Sequence, residues 1–497
     1  MLGRCTALTR RASGVTGQLS QRPFQQQFPL TIFTFLCLFL TPHFSCAKPA
    51  VAPLVAGQPF LVFWNAPTQQ CHTRHQAPLA LHSFNILSNQ GQAFAGEWIT
   101  IFYFDQLGLY PYYTEKEVAV NGGCPQNCSL YEHSSKMHED VLRTLPWPYF
   151  SGLAVVDWEE WRPQWTRNWA SKEIYQKKSR ELVRTLYPDW LESKVTQQAA
   201  WEFSTAARRF ISETLRLGRM LRPTGLWGLY LYPDCYNYEF KKGLVNYTGR
   251  CPPLEVQRND DLTWLFEESR ALYPSIYLAE ELQSAPQSRL FVRARVQEAL
   301  RVADLPSSPT SLPVFVYTRP FYSYSLTPLT QVDLVSSIGE SAALGASGVV
   351  LWGGIDYSRN QDNCLKLSDY LERILGPYIT NVTVATRLCS QLLCSGRGRC
   401  LRRDPSADAY LHLDSQNFRV AVDLSGEEPR VSVLGRLGGT SKARMKADFR
   451  CHCYQGWTGE ACQRTDSLGS RTLANPYLLG TFLGMTLAWQ LIEWLSC

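Results

Sequence analysis

Two carboxylates in one short stretch, Asp157 and Glu159, carry the clearest chemical potential in this 497-residue chain. They lie near the end of the run Gly152-Leu-Ala-Val-Val-Asp-Trp-Glu-Glu-Trp161. Its apolar start, with two adjacent valines, reads as a strand buried on both faces. Residues two apart in an extended chain leave the same face, with backbones ~7 Å apart. Like charges held there, where a buried strand emerges, repel each other and resist desolvation. At least one pKa is therefore expected to rise, and a raised pKa lets a carboxylic acid donate a proton near neutrality. A strand end finishing in solvated acids is the plain alternative. Against it, Trp158 and Trp161 wedge the pair and Arg162 follows, an odd composition for a solvated turn. Glu160 falls on the opposite face and is assigned a structural role.

Such a pair needs a frame. From about residue 58 to 378, strand-like runs alternate with helical ones. The expected strands are Phe60–Trp64, Ile99–Phe104, Leu153–Trp158, Leu226–Tyr232, Ser275–Leu278, Pro313–Tyr317 and Gly348–Trp352. The clearest helix carries Ala199, Phe203, Ala206, Phe210 and Leu217 on one face. Others cover roughly 173–185, 259–272, 289–303, 329–344 and 361–375. This alternation predicts an α/β fold with a parallel sheet, and the strand count suits a closed barrel. Active sites of such barrels lie at the C-terminal strand ends, where Asp157 and Glu159 fall. An open doubly wound sheet is the rival, but no glycine-rich phosphate loop follows the first strand.

From residue 389 the chain becomes Cys-rich, and the run CHCYQGWTGEAC (451–462) resembles the closing half of an EGF-like module. The Asp157-Trp-Glu-x-Trp-Arg162 run resembles the catalytic strand of the hyaluronidases of vertebrates and venoms. The insert of about fifty residues between Cys400 and Cys451 resembles the one appended to those enzymes, and the likeness spans roughly residues 58–465.

That resemblance implies a distorted TIM-like (β/α) barrel over 48–380 and an EGF-like module with a long insert over 381–465. It implies an endo-β-N-acetylhexosaminidase that cuts hyaluronan with retention, using the substrate's own acetamido group. Carried over residue by residue, Glu159 is the acid/base and Asp157 holds the N-acetyl nitrogen. Tyr230 bonds the acetamido oxygen as charge develops. Tyr277 and Trp352 enclose the methyl group, and Tyr103 stacks on sugar. Arg162 and Arg295 line the groove for a polyanion. For Arg295 an ion pair with Glu298, three residues on, explains the residue equally well. Asp234 either orients Tyr230 or caps a turn. No metal or organic cofactor is implied. Gly353-Gly354 departs from members of the family with a polar or acidic residue after the first glycine, which predicts a looser loop with fewer hydrogen bonds to sugar. Tyr277 favours hyaluronan; chondroitin is the alternative substrate. The rival from another class is a surface adhesion protein that binds the polysaccharide without cutting it.

The resemblance also implies disulfides Cys71–Cys364, Cys235–Cys251, Cys389–Cys400, Cys394–Cys451 and Cys453–Cys462. Cys124 and Cys128 remain, most naturally as a tight local bridge, otherwise as free thiols or an intermolecular bond. A zinc reading of Cys71-His72-x-x-His75 fails if Cys71 is bridged, since two histidines are too few. Sixteen Cys and a hydrophobic run near each end indicate the secretory pathway.

Residues 29–40 are apolar and Ser45-Cys46-Ala47 offers small residues for cleavage, so 1–47 reads as a signal peptide. Ser467, Gly469 and Ser470, a spacer and an apolar tail make 466–497 a GPI-attachment signal, ahead of a retained span or plain secretion. Cell-surface placement is expected, with secreted or lysosomal placement as alternatives. Sequons at Asn127, Asn246 and Asn381 offer glycan sites. The formal charge of +6 includes four leader arginines and no leader acid, leaving about +2, too little to argue for nucleic acid.

Overall fold

The computed structural model describes residues 48–466 apart from Glu427. The expected leader and the tail beyond Asp466 lie outside the described residues. Seven strands form the barrel wall: β1 Leu61–Asn65, β2 Ile86–Ser88, β3 Ile99–Phe102, β4 Leu153–Val156, β5 Leu226–Leu229, β6 Phe315–Thr318 and β7 Gly348–Trp352. One sheet runs β2-β1-β7-β6 and the other β3-β4-β5, with every pairing parallel.

Two irregular seams join these sheets. Between β5 and β6, single parallel bridges hold segment 271–277: Tyr230 to Tyr273, Leu272 to Val314 and Ser275 to Tyr317. The strand expected over Ser275–Leu278 forms no ladder there. Pro274 lacks the N–H that a continuous ladder would use. Between β2 and β3 the buried side chain of Asn89 makes the seam. It accepts from the N–H groups of Trp98 (3.0 Å) and Ile99 (3.1 Å) and donates to the Ile99 carbonyl (2.6 Å). An amide carries both donors and an acceptor, so it replaces missing ladder partners. Strand β2 was not expected, because three residues carry too short a pattern to read.

Strand alternation sorts the core. Leu61, Phe63, Ile101, Leu153, Val155, Tyr273, Phe315, Tyr317 and Val350 cluster inside the barrel. Their neighbours Val62, Trp64, Phe102, Ala154, Val156, Val349 and Leu351 pack in the larger core that also holds the helix residues. Both faces are thus buried, as parallel strands require. Gly228 in β5 is enforced by close approach: a Cβ there would lie 2.4 Å from the Ala271 carbonyl oxygen.

The main covering helices are α1 Leu130–Thr144, α2 Glu173–Leu186, α3 Glu192–Leu221, α4 Pro286–Ala303 and α5 Gly376–Leu393. On α3 the buried stripe is Val195, Ala199, Phe203, Ala207 and Phe210, so Ala207 takes the inward place expected for Ala206.

The Cys-rich part pairs β8 Gly398–Arg402 with β11 Phe449–Cys453, and its long insert holds the hairpin β9 Phe418–Asp423 and β10 Arg430–Gly435. All five disulfides implied by the resemblance are formed. A buried triad ties this part to the barrel. Glu340 accepts from Arg293 of α4 (2.7 Å) and from Arg402 of β8 (3.1 Å). A carboxylate this deep is tolerated only when paired.

The local bridge expected between Cys124 and Cys128 is absent, and neither thiol has a disulfide partner among the described residues. The turn Pro125–Asn127 separates them. The Cys124 sulfur is buried 3.8 Å from the Tyr113 hydroxyl, while that of Cys128 turns to the Pro125 carbonyl.

Candidate active site

The Asp157 N–H bonds the Phe102 carbonyl (2.9 Å), carrying the line of β4 one residue beyond its end. From there the side chains divide. Trp158 and Trp161 are buried and stack on Tyr110, with ring centroids 4.7 and 5.2 Å away. Phe210 of α3 closes on both indoles and Phe203 on Trp161. The tryptophans are the anchors that leave Asp157 and Glu159 facing a groove of about 1480 Å³. Tyr230, Tyr277, Trp352, Arg162, Asp234 and Arg295 line the same groove.

The two acids sit in unequal surroundings. Asp157 Oδ1 is buried without a hydrogen-bond partner. Burial, with the charge of Glu159 added and Arg162 opposing, pushes its carboxyl up to about 8. Glu159 is nearly half exposed, its side chain at 47%. Its Oε2 accepts from Arg162 Nη2 at 3.1 Å, and its carbonyl accepts from Arg162 Nη1 and from the Lys172 ammonium. Arg162 is therefore folded back onto the acid.

An aromatic cup faces the acids. The Tyr230 N–H bonds the Val156 carbonyl (3.0 Å), and its hydroxyl donates to Ser275 Oγ (3.3 Å). Tyr277 and Trp352 are nearly parallel, 18° apart with centroids at 5.9 Å, and the Tyr230 ring lies 6.3 Å from that of Tyr277. The Trp352 indole N–H donates to the Tyr103 hydroxyl (3.0 Å). Burial first, then the neighbouring acids, pushes the Tyr230 and Tyr103 phenols well up, so both stay protonated.

Asp234 caps its turn, accepting from the N–H groups of Cys235 (2.8 Å) and Tyr236 (3.1 Å). Burial alone would raise its carboxyl, but Arg295 (3.3 Å) and Arg167 (3.1 Å) outweigh that and hold it low. Arg295 is only 3% exposed and donates to Asn237 and the Ser275 carbonyl. Its partner is Asp234; Glu298 instead pairs with Arg301 at 2.8 Å.

Two residues escaped the sequence reading. Arg167 bridges Asp234 and Glu255 (2.7 Å), and no local pattern announces it. Arg319 follows β6 directly and lines the groove beside Trp352; a basic residue just past a predicted strand was the available signal. Of the Gly353-Gly354 pair, Gly353 is packed so tightly that a Cβ would lie 1.9 Å from the Tyr357 ring, while Gly354 has open space. Cys71 is bridged to Cys364, which removes it from any ligand set with His72 and His75.

The sequence profile described as Hyaluronidase matches residues 49–466. Hyaluronidase-2 of Rattus norvegicus is 46% identical over 450 residues, covering 89% of this chain and 95% of that protein. Hyaluronidase-2 of Homo sapiens is 47% identical over 416 residues (84% and 88%), and a Hyaluronidase-4 of Cerastes cerastes 44% over 434 (87% and 96%). The crystal structure of bee venom hyaluronidase aligns with a TM-score of 0.59 at 34% identity, covering 65% of this chain and 99% of its own. The same enzyme in complex with a hyaluronic acid tetramer aligns equally well, over 65% and 98%. Because the matched span takes in barrel and Cys-rich region together, and relatives this similar align along most of their length, the chain belongs to the hyaluronidase family of glycoside hydrolases.

Proposed function

We propose that this groove hydrolyses hyaluronan within the chain, between N-acetylglucosamine and glucuronate, with retention by acetamido participation. The observation that carries the reading is Asp157, a buried carboxyl with an unpartnered oxygen, set beside Glu159 and facing the Tyr230–Tyr277–Trp352 cup. The bee venom relative solved with a hyaluronic acid tetramer supports the choice of substrate.

With Asp157 raised to about 8, the acid pair holds a proton through neutrality. Burial places that proton on Asp157, while Arg162 pairs with Glu159. An acetamide N–H donating to Asp157 favours its ionised form and transfers the proton's preference to Glu159. Glu159 then protonates the glycosidic oxygen as the C1–O bond breaks. The acetamido carbonyl oxygen attacks C1 from the opposite face and closes an oxazolinium ring. Tyr230, neutral and hydroxyl-bearing, bonds that oxygen, and Tyr277 and Trp352 wall the methyl. Water next attacks C1, Glu159 takes its proton, and the ring opens to restore the acetamide. This chemistry asks for no metal or organic cofactor. Arg295 and Asp234 act from the groove wall, through the turn they stabilise.

The leader-like start and the tail beyond Asp466 support a lipid-anchored enzyme at the cell surface. Asn127 and Asn246 are exposed and suit glycans; Asn381 is half-buried, its amide oxygen accepting from the Leu413 N–H.

Loss of hyaluronan viscosity tests the reading. Wild type should cut, and Glu159→Gln should lose about 10²–10⁴-fold in rate while still binding the polymer. A chain that binds hyaluronan but cuts in neither form is an adhesion protein, and the enzymatic reading is then wrong. Parallel assays on chondroitin decide the preference.

A further inference from the structure

We infer that Arg319 holds the uronate carboxylate that neighbours the sugar in the acetamido cup, which makes it a determinant of polyuronate specificity. The inference rests on the hyaluronan reading above. Hyaluronan alternates N-acetylglucosamine with glucuronate, so the N-acetylglucosamine that fills the cup has a carboxylate on the residue next to it.

The groove lines four guanidiniums: those of Arg162, Arg295, Arg319 and Arg359. Three are already paired. Arg162 is on Glu159 at 3.1 Å, Arg295 on Asp234 at 3.3 Å, and Arg359 on Asp356. Arg319 has no carboxylate partner among the described residues. Its guanidinium carbon lies 5.3 Å from the Trp352 ring centroid, 5.9 Å from that of Tyr277 and 5.8 Å from that of Tyr357. Nε donates to the Tyr357 hydroxyl at 3.3 Å, and neither terminal nitrogen makes a hydrogen bond among the described residues.

This is a preorganised fork. The rings limit its rotamers and the Nε bond sets its plane, leaving the Nη pair for a planar anion. The same rings that would wall the acetamide methyl therefore carry, at their edge, the group that reads the adjoining acid. A neutral N-acetylglucosamine polymer would gain nothing from it.

The test compares wild type, Arg319→Gln and Arg319→Lys on hyaluronan and on carboxyl-reduced hyaluronan. Rates are used where cleavage occurs, and inhibition or binding constants where it does not. On hyaluronan, Arg319→Gln should lose about 10–100-fold in kcat/KM, mostly through KM, and Arg319→Lys should fall between. On the carboxyl-reduced polymer the three proteins should be equal. Equal performance on hyaluronan overturns the inference. So does an equal loss on both polymers, which would make Arg319 merely a prop for Trp352. If wild type cuts neither polymer, the hyaluronidase reading fails separately. Calorimetric binding of a hyaluronan oligosaccharide then decides Arg319 by itself, weaker binding to Arg319→Gln supporting the inference and equal binding ending it.

Discussion

Asp157→Asn should stabilise the fold while disabling the groove, and the gain should grow with pH. In the folded protein the Asp157 carboxyl titrates at about 8, against 3.8 without its surroundings. A carboxyl whose folded value is raised contributes stability that is fully present below the unfolded value. That contribution is lost as pH climbs toward the folded one. Each unit corresponds to about 1.36 kcal/mol, so linkage between pH 5 and pH 8 amounts to at most about 4 kcal/mol. Partial exposure of the side chain lets water screen it, which brings the expected change to about 2–4 kcal/mol. Asparagine keeps the shape without the charge. Its melting temperature should exceed that of wild type by a margin that widens by about 2–5 °C from pH 5 to pH 8, then levels off. Any unmatched hydrogen bond of the new amide adds a pH-independent offset and leaves the widening intact. Scanning calorimetry or dye-based melts across this range measure it. A margin that stays constant, or narrows with pH, would refute the assignment of the raised pKa to Asp157.

Other consequences follow from the same geometry. Arg162 lowers the Asp157 pKa, so Arg162→Gln should move the alkaline limb of the kcat/KM–pH profile, which reports the protein without substrate, above pH 8, alongside weaker turnover; a profile moving downward would contradict the electrostatics. Gly353→Ala should cost about 1–3 kcal/mol and most of the activity, because the methyl displaces Tyr357, on which Arg319 leans. Gly354→Ala, with nothing within 4 Å, should shift stability by under about 0.5 kcal/mol, a contrast that melts of the two variants would show. Alkylation after denaturation without reductant, followed by peptide mapping, should label both Cys124 and Cys128, whereas a bridge would protect both. In the native protein labelling should be slow, since burial pushes the Cys128 thiol to about 11 and raises that of Cys124.

What this chain's sequence determines unaided is local: most of the strand-like runs, though neither the three-residue β2 nor the irregular 271–277 seam, and which neighbouring side chains leave a strand together. Leu153–Val156 is apolar on both faces, and period-two geometry alone puts Asp157 and Glu159 on one side and Trp158 on the other; Trp161 shares the parity of the acids and reaches the core only because the chain bends at 160–161. The motifs around it were specific enough to reveal the family and, through it, the five disulfides. Tertiary structure decided everything that depends on groups meeting from distant places in the chain. That Asp157 carries a raised pKa follows from its burial, with the charge of Glu159 added and Arg162 opposing, and burial is set by elements that meet only in the fold. Arg295 had a plausible helical neighbour in Glu298, yet it pairs with Asp234, while the equally buried Glu298 is taken by Arg301 and Asn259. Asn89 closes a seam, Cys124 misses Cys128, and Arg319 meets Trp352 for the same reason. Contacts between elements are settled by packing and desolvation in three dimensions, and neither has a period that a linear pattern can display.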